Sequence, residues 1–289
     1  MRDKIIVTGA KGQLGSELQS LASSFPQYEF IYTDKEELSI DDENAVDEFF
    51  NQHNPQYCIN CAAYTAVDKA ESDRKLAMMI NATAPGILAR ACTRFGVRYV
   101  HISTDYVFNG QSDTPYSVDT PTDPVNYYGY SKMVGEQNVV RENPEAIIIR
   151  TAWVYSEYGN NFVKTMMRLM SERDAINVVS DQVGAPTYAK DLANAILKIL
   201  SSGKWVSGFY HYSNSGKISW YDFACAIRDF IGSPCKVNPI PSSSYPTPAS
   251  RPAFSLLDTS RIRLEYEVAI PDWKESLRFC ISRLKQDAS

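Results

Sequence analysis

A chain of 289 residues, 44% of them hydrophobic, is long enough for one large domain or two smaller ones around a substantial core, and nothing in it suggests disorder. A net charge of -5 argues against a general binder of nucleic acid or membrane surface, because such partners are held by basic faces; any anionic ligand must be held locally. No apolar run approaches the roughly 18–20 residues that cross a bilayer, and MRDKIIVTGA lacks the apolar stretch and cleavage site of a signal peptide, so a cytoplasmic protein is expected.

Short β-rich runs alternate with longer helical patterns. KIIVTG leads into a helix from about Gln13, EFIYTD into DDENAVDEFFNQH, and QYCINCAA into the long SDRKLAMMINATAPGILARACTRFG. VRYVHIST, a helix from about Tyr128 to Glu142, and AIIIRTAW continue the series. This alternation predicts an α/β fold of Rossmann type, a doubly wound parallel sheet covered by helices on both faces. Past about Trp153 the rhythm loosens. YAKDLANAILKIL still reads as an amphipathic helix and GFYHYSN as a strand that rejoins the sheet, whereas the proline and serine of SPCKVNPIPSSSYPTPASRPAF suit extended segments and loops. The expected division is a dinucleotide-binding domain over residues 1–152, rejoined by 189–213, and a smaller carboxy-terminal substrate lobe over 153–188 and 214–289.

Six cysteines without secretory features read as buried thiols. Cys58 and Cys61 form a CxxC, but on a strand residues three apart point to opposite faces, so they are read as small core side chains and not as metal ligands.

The turn after the first strand must let a pyrophosphate approach the backbone, with a helix amino-terminus facing the negative charge. Gly9, Gly12 and Gly15 supply it, in a GxxGxxG spacing that departs from the usual GxGxxG. Asp34 ends the second strand about twenty residues on, where a carboxylate accepts a hydrogen bond from the adenosine ribose and favours NADH. Lys11 and Lys35 lie near enough to offset a 2′-phosphate, which leaves NADPH open.

A hydride arriving at a carbonyl carbon leaves an alkoxide, and the oxygen needs a proton donor and a hydrogen bond already in place. Tyr128 and Lys132 in NYYGYSK stand four residues apart, on one helical face. The phenol can deliver a proton, and the ammonium is expected to lower its pKa from about 10. Thr104, at the end of a central strand, can hold the carbonyl through its hydroxyl. His53, His101 and His211 are scattered, with no GxSxG elbow and no HExxH, so a hydrolase triad or a zinc peptidase has no residues to use.

With TGAKGQLG, NCAAYTAVDKAE, INATAP, STDYVFNG, YYGYSKMVGE, RTAWVY, GNNFVKTM and DQVGAPTY in this order, nearly the whole chain resembles the extended short-chain dehydrogenase/reductase family, in its sugar-nucleotide reductase branch. Sugar-nucleotide dehydratases place an Asp-Glu pair after the threonine; here Asp105-Tyr106 follows Thr104, which disfavours dehydration. The resemblance implies reduction by NADPH or NADH of the C4 carbonyl of a dTDP-linked 4-keto-6-deoxysugar, with Thr104, Tyr128 and Lys132 catalytic. It implies Gly12, Gln13 and Leu14 at the pyrophosphate, Asp34, Ser39 and Ile40 around the adenosine, Ala62, Ala63 and Tyr64 behind the nicotinamide ribose, and Tyr128 and Lys132 touching the cofactor as well, Lys132 at the nicotinamide ribose. Thr104, Asp105, Tyr106 and Trp153 would hold the sugar nucleotide, and Gln182 and Arg251 its diphosphate. Some members carry magnesium at a subunit contact through glutamates, and Glu17 lies near such a position; no metal is predicted. The apolar helix faces would allow a homodimer. Two alternatives stay open: a reductase or epimerase of another nucleotide-linked deoxyketosugar, and a non-catalytic regulatory subunit of the same fold.

Overall fold

The structure, a computed structural model, describes residues 2–287. In chain order its principal elements are β1 (Asp3–Thr8), α1 (Gln13–Leu21), β2 (Tyr28–Thr33), α2 (Glu43–His53), β3 (Tyr57–Asn60), α3 (Ala84–Phe95) and β4 (Arg98–Thr104). They continue with α4 (Tyr127–Glu142), β5 (Ile147–Thr151), α5 (Phe162–Glu172), α6 (Ala189–Ser201), β6 (Gly208–Tyr212), α7 (Trp220–Ile231) and α8 (Trp273–Asp287).

The six strands form one sheet in the order β2-β1-β3-β4-β5-β6, every neighbouring pair parallel. Parallel strands need crossover helices, and these bury both faces, which is why the strand sequences are apolar without alternation. Alternate residues serve opposite faces. Ile5, Val7, Ile59 and Ile149 pack under Leu14 and Leu18 of α1 and Leu192 and Ile196 of α6. Ile6, Cys58, Tyr99 and Ile148 pack on the other face against Phe50 of α2 and Leu88 and Cys92 of α3. Cys58 and Cys61 accordingly point to opposite sides, into different clusters.

From β1 the chain turns to one side to make β2 and then crosses to the other to make β3. Two crossovers leaving in opposite directions open a crevice at the carboxyl ends of these strands, and the site lies there.

The long helical stretch of the seventies and eighties is not uniform: Arg74–Met78 runs into a π-turn over Met79–Thr83 before α3 begins. Pro85 has no N–H to return to the Asn81 carbonyl four residues back, so the ladder loosens there. The freed carbonyl faces Gly135 of α4 so closely that a Cβ at that position would collide with it.

A separate core gathers Tyr155, Val163, Met166, Phe223, Ile227, Trp273 and Leu277 from α5, α7, α8 and the segment after β5. Within it, Ala175–Val179 and Lys236–Ile240 pair in parallel. The second of these lies in the proline-rich stretch read from sequence as extended segments and loops.

Candidate active site

The turn from β1 to α1 is built by close approach. Gly9 has φ +66°, and a Cβ on it would meet the Ala62 nitrogen at 2.6 Å, so the turn sits directly against the loop that follows β3. The Gly12 N–H donates to the Gly9 carbonyl at 3.0 Å, closing the turn. No acidic side chain stands in the first turn of α1, whose free N–H groups face the crevice. This backbone cradle fits a pyrophosphate.

Beyond it lies a cavity of about 440 Å³ lined by Gly9, Lys11, Gly12, Asp34, Lys35, Ser39, Ile40, Ala62 and Ala63, among others. Asp34 Oδ2 accepts the Lys11 N–H at 2.9 Å and Oδ1 the Lys35 N–H at 3.2 Å, which fixes the carboxylate at the rim. The exposed Lys11 ammonium rests on Glu36 at 3.2 Å.

A second cavity of about 550 Å³ continues the first, sharing Gly12, Cys61 and Ala63 with it. Its walls include Gln13, Leu14, Thr104, Asp105, Tyr106, Tyr128, Lys132 and Trp153. Helix α4 is delivered to this wall by its own start. The Asn126 side chain caps it, accepting the Gly129 N–H at 2.8 Å, while its amide donates to the Ser250 carbonyl at 2.7 Å. A Cβ on Gly129 would run into the Tyr106 carbonyl, so α4 lies against the segment leaving β4 and brings Tyr128 beside Thr104.

Burial pushes the Tyr128 phenol up to about 12; a hydrogen bond with Thr104 opposes the rise and the Asp105 charge adds to it. Burial also lowers Lys132 to about 8, opposed chiefly by the charge of Glu136. The Lys132 ammonium donates to the Ile102 carbonyl at 2.7 Å. In the bare site burial thus outweighs the lowering of the phenol expected from the ammonium, which is turned onto the β4 backbone. Asp105 is raised to about 7 by burial, while the hydroxyls of Ser255 and Thr104 pull it down; its Oδ1 accepts the Thr104 hydroxyl at 3.0 Å. Trp153 holds φ +50°, unusual for a bulky residue, and its indole stacks on Trp220 with centroids 3.7 Å apart.

Four residues of the sequence reading are not on these walls: Gly15 serves close packing, a Cβ on it meeting the Gly9 carbonyl at 2.5 Å, and the other three are Tyr64, Gln182 and Arg251. Tyr64 is held by its backbone to Asn81, at 2.8 and 3.0 Å, with its hydroxyl on Asp73. The Gln182 amide donates to Ser242 at 3.0 Å. The Arg251 guanidinium forms a two-pronged pair with Asp68, both contacts at 2.7 Å, and also donates to the Ala249 carbonyl. Conversely, Thr65, Val67, Gly159 and Asn160 line the second cavity and were not singled out. Asn81 was also missed; its amide donates to Ser131 of α4 at 3.0 Å and, with its two bonds to the Tyr64 backbone, ties the loop after β3 to that helix. Asn126 was legible as an Asn immediately before a helix. Asn81 left no local signal, since its partners are distant in sequence. The Gln13 amide reaches the Val154 carbonyl at 3.4 Å and accepts from Asn161 at 3.0 Å, tying the glycine turn to the segment after β5.

The family model of the RmlD substrate binding domain matches residues 2–286. The chain is 42% identical to the spore coat polysaccharide biosynthesis protein SpsK of Bacillus subtilis, over 95% of each chain. Among solved structures, a dTDP-4-dehydrorhamnose reductase from Clostridium acetobutylicum superposes with a TM-score of 0.94 at 43% identity, covering 98% of this chain and 99% of that one. A dTDP-4-dehydrorhamnose reductase from Bacillus anthracis, in complex with NADP, gives a TM-score of 0.94 at 39% identity over 98% of this chain and 100% of that one.

Proposed function

The chain belongs to the RmlD substrate binding domain family, that of the dTDP-4-dehydrorhamnose reductases, and on that footing we propose that it reduces the C4 carbonyl of dTDP-4-dehydro-L-rhamnose (dTDP-6-deoxy-L-lyxo-4-hexulose) to dTDP-L-rhamnose with NADPH or NADH. The observation that carries this reading is a buried phenol beside a threonine hydroxyl at the carboxyl end of β4, in a groove that begins at a glycine turn built for a pyrophosphate.

The bound nicotinamide cofactor supplies the hydride. Gly9, Gly12 and the first N–H groups of α1 hold its pyrophosphate. Asp34, whose oxygens retain free lone pairs after accepting two backbone N–H groups, accepts from the ribose. Thr104, whose single hydroxyl proton rests on Asp105 in the bare site, turns it to the sugar carbonyl oxygen and fixes its direction. Tyr128 gives its proton to that oxygen as the C4 carbon accepts the hydride. A phenol raised by burial keeps its proton until a strong base appears, and an alkoxide is one. Lys132 supplies positive charge to the phenolate left behind. Trp153, which lines the cavity with its indole stacked on Trp220, offers an aromatic surface to a ring of the sugar nucleotide.

The test is consumption of NADH or NADPH by purified protein given this sugar nucleotide. Stoichiometric oxidation with formation of dTDP-L-rhamnose is expected. Failure to oxidise either cofactor with it, while another nucleotide-linked ketosugar is reduced, overturns the substrate assignment. Conversion of the sugar without net oxidation indicates an epimerase.

A further inference from the structure

We propose that Glu136, clamped by Arg150, is a positioning residue for the reduction: from one helical turn away its carboxylate keeps the Lys132 ammonium charged without touching it. The inference rests on the reading that Tyr128 and Lys132 carry out the chemistry.

Tyr128, Lys132 and Glu136 follow one another at four-residue intervals on α4 and so share a face. All three are buried, at 9%, 2% and 2% exposure. Each oxygen of Glu136 accepts one hydrogen bond from Arg150, from Nε and Nη2, both at 2.8 Å. Arg150 comes from β5, the neighbour of β4, and its guanidinium lies over the rings of Phe108 and Phe209 at 5.1 and 4.5 Å. A carboxylate held by this planar fork cannot swing toward Lys132. The ammonium is thereby left free to bond the Ile102 carbonyl and to face the groove.

A buried ammonium needs negative charge nearby to stay protonated. The titratable groups that face Lys132 are Glu136 on its own helix, Tyr128 one turn before it, Cys61 after β3 and His101 on β4. Burial keeps the Cys61 thiol neutral by raising it, and it keeps His101 neutral by lowering it. Tyr128 is raised and stays neutral as well. Among these groups of the described residues, Glu136 is the one that carries charge; Arg150, paired with it, carries a positive charge that partly offsets it, and the effect of Glu136 on Lys132 is upward.

The alternative is that the Glu136–Arg150 pair merely ties α4 to β5. Removing Glu136 alone would strand the buried Arg150 charge, so the test uses the double variant Glu136→Gln/Arg150→Met, which removes both charges. The readout is kcat against pH with the sugar nucleotide and NADPH, with folding checked by circular dichroism. Activity that needs charged Lys132 falls as pH rises through about 8. Because the opposing Arg150 charge leaves together with that of Glu136, the double variant is expected to move this falling limb toward neutral pH by less than the roughly one to three units that follow loss of a lone close opposite charge. Glu136→Asp, which retains the charge but withdraws it, is expected to move the limb the same way by less, and it carries the test should the double variant not fold. A limb that stays in place, whether kcat is unchanged or uniformly lower, overturns the proposal. A wild-type protein inactive on the sugar nucleotide would instead sink the functional reading, so the two failures are distinguishable.

Discussion

Tyr128 is protonated across the whole neutral range, because burial raises a phenol that has lost its water. That state suits delivery of a proton to a new alkoxide and hinders the reverse step, in which a phenolate must accept one. The bare site is thus poised for reduction. Replacing Tyr128 by Phe removes the proton and leaves the ring packed edge-on against Tyr106. We expect kcat to fall by roughly 10²–10⁴-fold, the usual share of a general acid, with the KM for NADPH changed little; steady-state kinetics of the purified variant checks both. At this scale the sequence was informative wherever a residue reaches the cavity wall through its own local motif, as do Gly12, Thr104, Tyr128 and Lys132. It was silent where a partner far along the chain engages the side chain. Arg251 is 183 residues from the Asp68 that binds it, and Gln182 is 60 from Ser242, so no local pattern distinguished a free guanidinium or amide from an engaged one.

Helices and strands were legible where one periodic signal decided them. The apolar strands of the sheet and the four-residue spacing on α4 need no information beyond the segment itself. The π-turn at Met79–Thr83 could not be read the same way, because a proline in an otherwise helical stretch signals a disturbance without saying which carbonyl is released or what receives it. The strand Lys236–Ile240 was hidden by Pro239 and by a composition that favours loops; its pairing with Ala175–Val179 overrides that preference.

Helix α1 carries a further consequence of burial. Glu17, 1% exposed, is raised to about 8 from its ordinary 4.5, first by desolvation and then by the neighbouring Glu157, which accepts the Tyr188 hydroxyl at 2.5 Å. Its folded value lies above its unfolded one, so its favourable contribution to folding is complete below about 4.5 and is lost as pH rises to about 8. Glu17→Gln is therefore expected to flatten the pH dependence of stability. Its melting temperature should exceed that of the wild type by a few degrees at about pH 9 and show little difference at about pH 4, given about 2–4 °C per kcal/mol for domains approaching this size. Parallel wild-type and variant melting curves across that range would disprove the raised value of Glu17.

At the scale of the whole molecule, the groove lies where the sheet meets the second core, and side chains from both parts join across it. Gln13 of the glycine turn binds Val154 and Asn161, Asn126 at the head of α4 binds Ser250, and Asp68 binds Arg251. The architecture thus sets a pyrophosphate cradle, a proton donor and a flat aromatic wall along one continuous channel. On the proposed reading, a hydride and the Tyr128 proton are delivered there to one carbonyl, at C4 of the sugar. The most direct measurement is turnover of dTDP-4-dehydro-L-rhamnose with NADPH carrying deuterium at the transferable position of its nicotinamide, the product being read by NMR. The account predicts deuterium at C4 of dTDP-L-rhamnose, one atom for each cofactor oxidised; deuterium at another carbon, or product formed without deuterium while the cofactor is left unoxidised, would contradict it.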